Sequence, residues 1–390
     1  MLRFLTSGES HGKCLTAIID GVPAGLSIEE EYINHHLSRR QMGYGRGPRM
    51  DIEKDAVQIL SGVRAGKTIG SPICMLIPNR DWENWASIMD ISSAPMPKET
   101  RVTRPRPGHA DLAGAIKYDH FQDLRNVLER ASARETAARV ACGAVAKRFL
   151  EEFHILVTSH VIQIGTVRAQ NIPPDIRLIE QLSLSSPVRC ADPNASQKMV
   201  AVIDECAQLG DTIGGIFQVL SSGLPPGLGT YVQWDRRLDT RLAGAVMSIP
   251  GVKGVEIGLG FKCSELRGTE VHDEIVLDAQ SNKLARRSNN AGGIEGGVTN
   301  GQPLVIQAVM KPISTTRTSL ESVDLETKKP SMAHFERSDV CAVPACGTVA
   351  EAMVAIELSS ALMERYGSDT VERIKIALKN DLENLPLTMR

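Results

Sequence analysis

Two phrases occur twice in this chain, in the same order, and they constrain its fold more than any other feature. Gly21-Val22-Pro23-Ala24-Gly25-Leu26 and Gly223-Leu224-Pro225-Pro226-Gly227-Leu228 share the form G-x-P-x-G-L. Gly62, Gly66, Thr68, Gly70 and Pro72 follow the spacing G-x-x-x-G-x-T-x-G-x-P, and Gly293, Gly297, Thr299, Gly301 and Pro303 repeat it. Glycine reaches backbone conformations closed to other residues, and proline fixes φ, so both punctuate turns. One shared turn phrase is a common coincidence. Two in one order point to an internal duplication.

The segments around the phrases align as well. The first half is predicted to hold a strand over 15–20, the turn, and a helix opened by Ser27 and Glu30 at capping-box spacing. The second half has a strand over 216–220, the same turn, and a helix over 237–247. Strands over 56–63 and 255–261 follow. Alanine-rich helices, 133–152 and 348–366, come later in each half, with apolar residues three to four apart. Adjacent strands joined by short turns predict antiparallel sheets, so the expected class is α+β. The 390 residues are read as one domain with two pseudo-symmetric halves, about 1–200 and 201–366. The polar stretch 262–292 is expected to be a mobile insertion over a site, and 367–390 a polar tail with little periodicity before a short helix.

Charge and cysteine usage narrow the function. Lys plus Arg is 44 against 46 for Asp plus Glu, which argues against a strongly basic nucleic-acid binder. No apolar run is expected to span a membrane, and no signal-peptide pattern opens the chain. The eight cysteines form no C-x-x-C pair, so neither a zinc site nor a disulfide framework is expected, and the location is read as cytoplasmic.

Six clusters could carry chemistry. Gly8-Glu9-Ser10-His11-Gly12 matches the G-x-S-x-G of a hydrolase elbow, but a strand is expected after it where that motif needs a helix. A ligand-facing histidine and a purely structural turn histidine fit the spacing equally. Arg39, Arg40, Arg46 and Arg49 end a helix and enter a glycine-rich loop, where guanidinium forks suit phosphate or carboxylate. Arg104-Pro105-Arg106-Pro107-Gly108-His109 is a stiff segment presenting two guanidiniums and an imidazole that titrates near neutrality. Ser132, Ala133 and Arg134 open an alanine-rich helix, either as an anion site or as simple capping. Lys311 to Thr316 and Glu336-Arg337-Ser338-Asp339 add an ammonium, hydroxyls and a cation–carboxylate pair. No P-loop or dinucleotide fingerprint is present, and the histidines show no metal-ligand spacing. Together these describe an enzyme for a highly anionic small substrate.

Gly8-Glu-Ser-His-Gly12, Arg106-Pro-Gly-His-Ala-Asp111, Arg130-Ala-Ser-Ala-Arg-Glu-Thr136, Asp211-Thr-Ile-Gly-Gly215 and Arg337-Ser-Asp339 resemble the motifs of the chorismate synthase family, in order, to about residue 365. Arg40-Gln and Gly43-Tyr-Gly-Arg46-Gly fit the same pattern. The resemblance implies a β-α-β sandwich protomer assembling as a homotetramer. It also implies loss of phosphate and the C6 proton from 5-enolpyruvylshikimate 3-phosphate to give chorismate, with reduced FMN required and no net redox change. By resemblance, His11 assists the departing phosphate as general acid, His109 acts on the flavin near N1, and Asp339 supports C6 proton removal through flavin N5. Ser10, Arg40, Arg46, Arg49, Arg106, Arg134 and Arg337 would bind substrate. Ala131, Ser132, Ala133, Gly251, Gly296, Lys311, Pro312, Ile313, Ser314, Thr315 and Arg337 would contact the flavin, although the family usually has alanine where Gly251 stands. No reductase domain is evident, so a separate flavin reductase is expected to supply FMNH2. The competing readings are a flavin-dependent oxidoreductase acting on an anionic substrate, and a catalytically silent ligand- or RNA-binding protein.

Overall fold

The computed structural model describes residues 2–47, 54–92, 98–280, 282–336 and 339–386. Two antiparallel sheets enclose a layer of helices. The first sheet runs, edge to edge, Arg3–Ser7, Cys14–Asp20, Ile73–Pro78, Gln58–Ile59. The second runs Val252–Ile257, Leu304–Met310, Gly215–Ser222, Leu156–Ile164, Val167–Arg168. Alternation along the strands sets the inner faces. In Leu304–Met310 the residues Leu304, Ile306, Ala308 and Met310 are buried, and in Ile73–Pro78 so are Ile73, Met75 and Ile77. Helix Thr136–Glu151 packs on the first sheet, helix Val343–Tyr366 on the second, and the two helices pack on each other.

That central contact needs a residue without a side chain. A Cβ on Gly143 would stand 2.1 Å from Ala352 Cβ and 2.4 Å from Ala352 Cα, so only glycine lets the helices approach this closely. Gly143→Ala is expected to destabilise the fold by about 1–3 kcal/mol through overpacking. A urea midpoint equal to the unsubstituted protein's would refute that. Val343–Tyr366 is long and apolar enough to cross a membrane, contrary to expectation, but it lies in the core. A helix apolar on every face is stable in water only when enclosed by other elements.

The duplicated phrases close in the same way in both places. Thr68 Oγ1 donates to Pro23 O (2.6 Å) and accepts from Leu26 N (3.0 Å), while Gly25 N reaches Thr68 O. Thr299 Oγ1 likewise donates to Pro225 O (2.7 Å) and accepts from Leu228 N (2.8 Å), while Gly227 N reaches Thr299 O. Gly25 and Gly227 both have φ of 90°, which a side chain would strain. The invariant spacing of the two phrases is thus the spacing of one hydrogen-bonded lock, with a threonine hydroxyl satisfying two buried backbone groups.

Several local expectations change. Ser27 and Glu30 form no capping box. Helix Glu30–Gln41 starts without a side-chain cap, Ser27 bridges to Lys67, and Glu30 Oε1 accepts from Ile59 N (2.7 Å). A strand amide needing an acceptor has claimed the carboxylate. The strand expected over 56–63 is two short pieces, Gln58–Ile59 and Val63–Arg64, and that over 255–261 is Val252–Ile257. The tail holds a 14-residue helix, Val371–Asn384, capped by the Thr370 hydroxyl. Its buried Val371 and Ile374 dock it on the body, and Val371 N bonds Ala24 O. The described part of 262–292 contains helix Gly268–Val271 and a hairpin of Ile275–Leu277 with Leu284–Arg286.

Candidate active site

The turn after the first strand is built by its backbone. Gly8 has φ of 101°, and a Cβ there would stand 2.3 Å from Cys14 O. A strand, Cys14–Asp20, follows the turn, as expected, and not the helix of a hydrolase elbow. Asn79, at the end of strand Ile73–Pro78, donates through Nδ2 to Glu9 O, Ser10 O and Gly12 O. Helix Arg125–Ala131 supplies the other support. Glu129 O accepts from Ser10 N (3.0 Å), and its carboxylate takes His11 N (2.7 Å) and pairs with His11 Nδ1 (2.8 Å). The His11 ring stacks on Trp85 with centroids 3.9 Å apart. Arg125 bonds the same Glu129 oxygen at 3.2 Å. Ser132 Oγ donates to Ser10 Oγ (3.2 Å) and caps the 3-10 turn Ala133–Glu135, so the capping reading of Ser132 holds.

Beneath this turn two guanidiniums share one carboxylate. Arg134 Nη1 meets Asp55 Oδ1 at 2.6 Å, and Arg40 Nη1 meets Asp55 Oδ2 at 3.3 Å. Arg134 also donates twice to Asn79 Oδ1, and Arg40 donates to Thr136 Oγ1 and Ala133 O. Burial pushes the Arg40 guanidinium down to about 10, against the pull of Asp55 and with the push of Arg134 and Arg46. Two cations on one anion leave this base positively charged. Both arginines are buried, and Arg134 is joined to the turn through Asn79. Arg46 forms an ion pair with Asp339 at 3.1 Å, and Asp339 Oδ1 accepts from Gly47 N (2.7 Å). Arg49 and Arg337 lie outside the described residues.

A second group gathers around His109. Asp111 takes Arg106 Nε (2.8 Å) and Nη2 (3.0 Å) and pairs with His109 Nδ1 (2.6 Å). Burial alone would raise the Asp111 carboxyl, but bonds from His109 and Arg106 hold it well below the usual carboxylate range. Arg106 Nη1 reaches Thr315 Oγ1 at 3.3 Å. Lys311 Nζ donates to Gly108 O (2.6 Å), and Lys311 N to Gly251 O (2.9 Å). Burial and nearby Lys253 hold the Lys311 ammonium below its ordinary value. Gly251 has φ of 88°, and a Cβ would lie 3.2 Å from Met310 Cε, so a residue larger than glycine would be strained here. The fold therefore brings together Arg106, His109, Gly251 and the 311–315 loop. Gly296 sits in another hairpin, beside Tyr231, and no hydrogen bond among the described residues joins it to Gly251 or that loop.

The two groups share a carrier. Gly114, in helix Asp111–Tyr118, fits against Val127 of helix Arg125–Ala131, and Leu124 N bonds Val102 O. The segment 102–132 thus holds His109 at one end and Glu129 and Ser132 at the other. Glu129, Asn79, Trp85, Asp55 and Arg125 belong to the site and escaped sequence reasoning. Only Glu129 carried a local signal, its place beside the Arg130–Thr136 motif. Arg46→Ala, which strips Asp339 of its cation, is expected to weaken substrate binding. Unchanged affinity in a titration would remove Arg46 from the site.

A family model described as chorismate synthase matches residues 2–363. The chorismate synthase of Geobacter sulfurreducens is 54% identical over 389 residues, covering 98% of this chain and 99% of its own. That of Geobacillus sp. (strain WCH70) is 55% identical over 379 residues, with 96% and 97% covered. A crystal structure of a chorismate synthase superposes with a TM-score of 0.78 at 43% identity, covering 98% of this chain and 97% of that one.

Proposed function

The chain belongs to the chorismate synthase family, carbon–oxygen lyases of the shikimate pathway, and from that premise we propose its reaction and the part each residue takes. The substrate is 5-enolpyruvylshikimate 3-phosphate, the product chorismate, and the reaction an anti-1,4 loss of phosphate and the C6 proton. Reduced FMN is required, with no net redox change. The observation that carries this reading is the tie between two motifs more than a hundred positions apart: Ser132 Oγ donates to Ser10 Oγ, and Arg134 donates to Asn79 Oδ1, whose Nδ2 holds the turn of Ser10 and His11.

The residues around Gly108 and Lys311 suit a flavin. Gly108 has φ of 78°, which favours glycine, and its carbonyl accepts from Lys311 Nζ, so the loop carrying His109 is held against the 311–315 loop. Lys311, Arg106, Ser314, Thr315 and the backbone of 311–315 offer cations and donors for a phosphate and a polar ring edge. Ala131, Ser132, Ala133, Gly251, Gly296 and Arg337 complete the proposed flavin contacts. When bound, the reduced flavin lends electron density to the allylic system and recovers it as the proton leaves.

The chain's own residues position and neutralise. His11 gives a proton to the departing phosphate. His109, held by Asp111, acts beside the flavin near N1, and Asp339 supports removal of the C6 proton. Arg40, Arg46, Arg49, Arg106, Arg134 and Arg337 offset the phosphate and two carboxylates of the substrate, charges that would repel strongly in a low-dielectric cleft. A separate reductase supplies the FMNH2, and the working form is a homotetramer. Leu5 and Ile18, paired across strands and exposed on the outer face of the first sheet, give that assembly an apolar surface.

The test is anaerobic. The protein is mixed with photoreduced FMN and 5-enolpyruvylshikimate 3-phosphate, and chorismate, phosphate and flavin state are followed together. Equal chorismate and phosphate with flavin still reduced is the expected result. Flavin oxidised in step with product would make it an oxidoreductase, and ligand binding without product a silent binder.

A further inference from the structure

We propose that Glu129 is a positioning residue for His11, fixing the imidazole so that Nε2 delivers the proton to the departing phosphate. The proposal rests on the general-acid role given to His11 above. Glu129 is 2% exposed and grips the turn at three points. Its backbone oxygen takes Ser10 N, Oε2 takes His11 N, and Oε1 meets His11 Nδ1. The indole of Trp85, nearly parallel at 27°, covers one ring face and restricts rotation. Arg125, bonded to Oε1 and lying 5.1 Å from the Trp85 ring, holds the carboxylate and the indole in one frame.

The consequence is chemical. Which imidazole nitrogen carries the proton is set by the bond that the other makes. In the imidazolium both nitrogens carry hydrogen. Nδ1–H is committed to Glu129, so the proton available for transfer is the one on Nε2. After transfer the neutral ring retains Nδ1–H, and Nε2 is the atom that must be reprotonated. Without the carboxylate the neutral ring divides between two tautomers and can turn about its side-chain bonds. A misplacement of about 1 Å can cost on the order of 100-fold in rate.

The test uses Glu129→Gln, which keeps shape and loses charge, and Glu129→Asp, which keeps charge and shortens the reach. Both are combined with His11→Asn. Histidine 15N spectra, with the His11 signals identified by their loss in His11→Asn, report the tautomer without reference to activity. In the unsubstituted protein neutral His11 is expected to carry its proton on Nδ1, and in Glu129→Gln to show a mixture. Turnover in either Glu129 variant should fall about 10- to 100-fold with KM little changed. In the His11→Asn background Glu129→Gln should cost nothing further, since the two act as a unit. An unchanged tautomer in both variants, or losses that multiply independently, would overturn the proposal. Full turnover in His11→Asn alone would instead remove the general-acid role, and Glu129's part with it. That failure is recognisable because Glu129→Gln would still shift the tautomer.

Discussion

His11→Asn is expected to lower turnover by about 10²- to 10⁴-fold, the range over which a positioned general acid acts, while flavin and substrate still bind. The expectation follows from how little else at the turn depends on the imidazole. Asn79 holds the backbone of 9–12, and Ser10 is tied to Glu129 and Ser132 through its own atoms. The substitution therefore removes the proposed acid and leaves its seat. Single-turnover chorismate formation, followed anaerobically by absorbance, measures the loss, and flavin titration measures retained binding. Full turnover would exclude His11 from proton transfer. Loss of flavin binding together with turnover would mean that the ring serves the fold and not the chemistry.

Glu351→Gln is expected to be the most damaging single change to stability away from the site. Glu351 lies inside the core helix Val343–Tyr366 and is 1% exposed. It accepts two bonds from Arg39, at 2.9 Å each, with others from Lys147 (2.7 Å), Arg189 (2.9 Å) and Ser159 (2.7 Å). Removing its charge leaves three buried cations without their anion, which costs about 3–5 kcal/mol. Burial alone would raise this carboxyl, but Arg39, Lys147 and Arg189 hold it well below its ordinary value. Asp111 is depressed in the same direction. The sign follows: a carboxyl depressed in the folded state adds stability that is complete above its unfolded value, about 4, and is lost as pH falls toward the folded one. Urea midpoints should therefore be little affected by these groups from pH 7 to about 5, then fall below about 4. In Glu351→Gln the midpoint should be low at pH 7 and the acid decline shallower. A midpoint at pH 7 equal to the unsubstituted protein's would show that the cluster contributes nothing.

Where the sequence was informative, the constraint was local. The paired phrases at 21–26 with 62–72 and 223–228 with 293–303 were legible because positive φ demands glycine and one threonine hydroxyl closes each lock. The α+β class was legible from antiparallel spacing and alanine-rich helices. The long motifs around His11, His109 and Ser132 carried the family. Where the sequence misled, a distant group won over a local one. Ser27 and Glu30 have the spacing of a capping box, yet the Glu30 carboxylate is held by Ile59 N, 29 positions away. The tail helix was expected only as a short one after a polar stretch; its 14 residues and its docking were not legible, because its buried stripe, Val371 and Ile374, is short and makes sense only against the body it covers.

The sequence by itself determined the duplicated turns, the class of the fold and the family, and it offered histidines and arginines of a type suited to an anionic substrate. These are written in backbone conformation and in side-chain type, which neighbours along the chain are enough to specify. Only the tertiary structure decided that Glu129 holds His11, that Arg40 and Arg134 share Asp55 beneath the turn, and that Glu351 answers Arg39, Lys147 and Arg189. The reason is physical: a buried charge must find its partner in three dimensions. These pairings, Glu129 with His11, Asp55 with Arg40 and Arg134, and Glu351 with its three cations, are set by which elements the sandwich stacks together, not by a spacing along the chain.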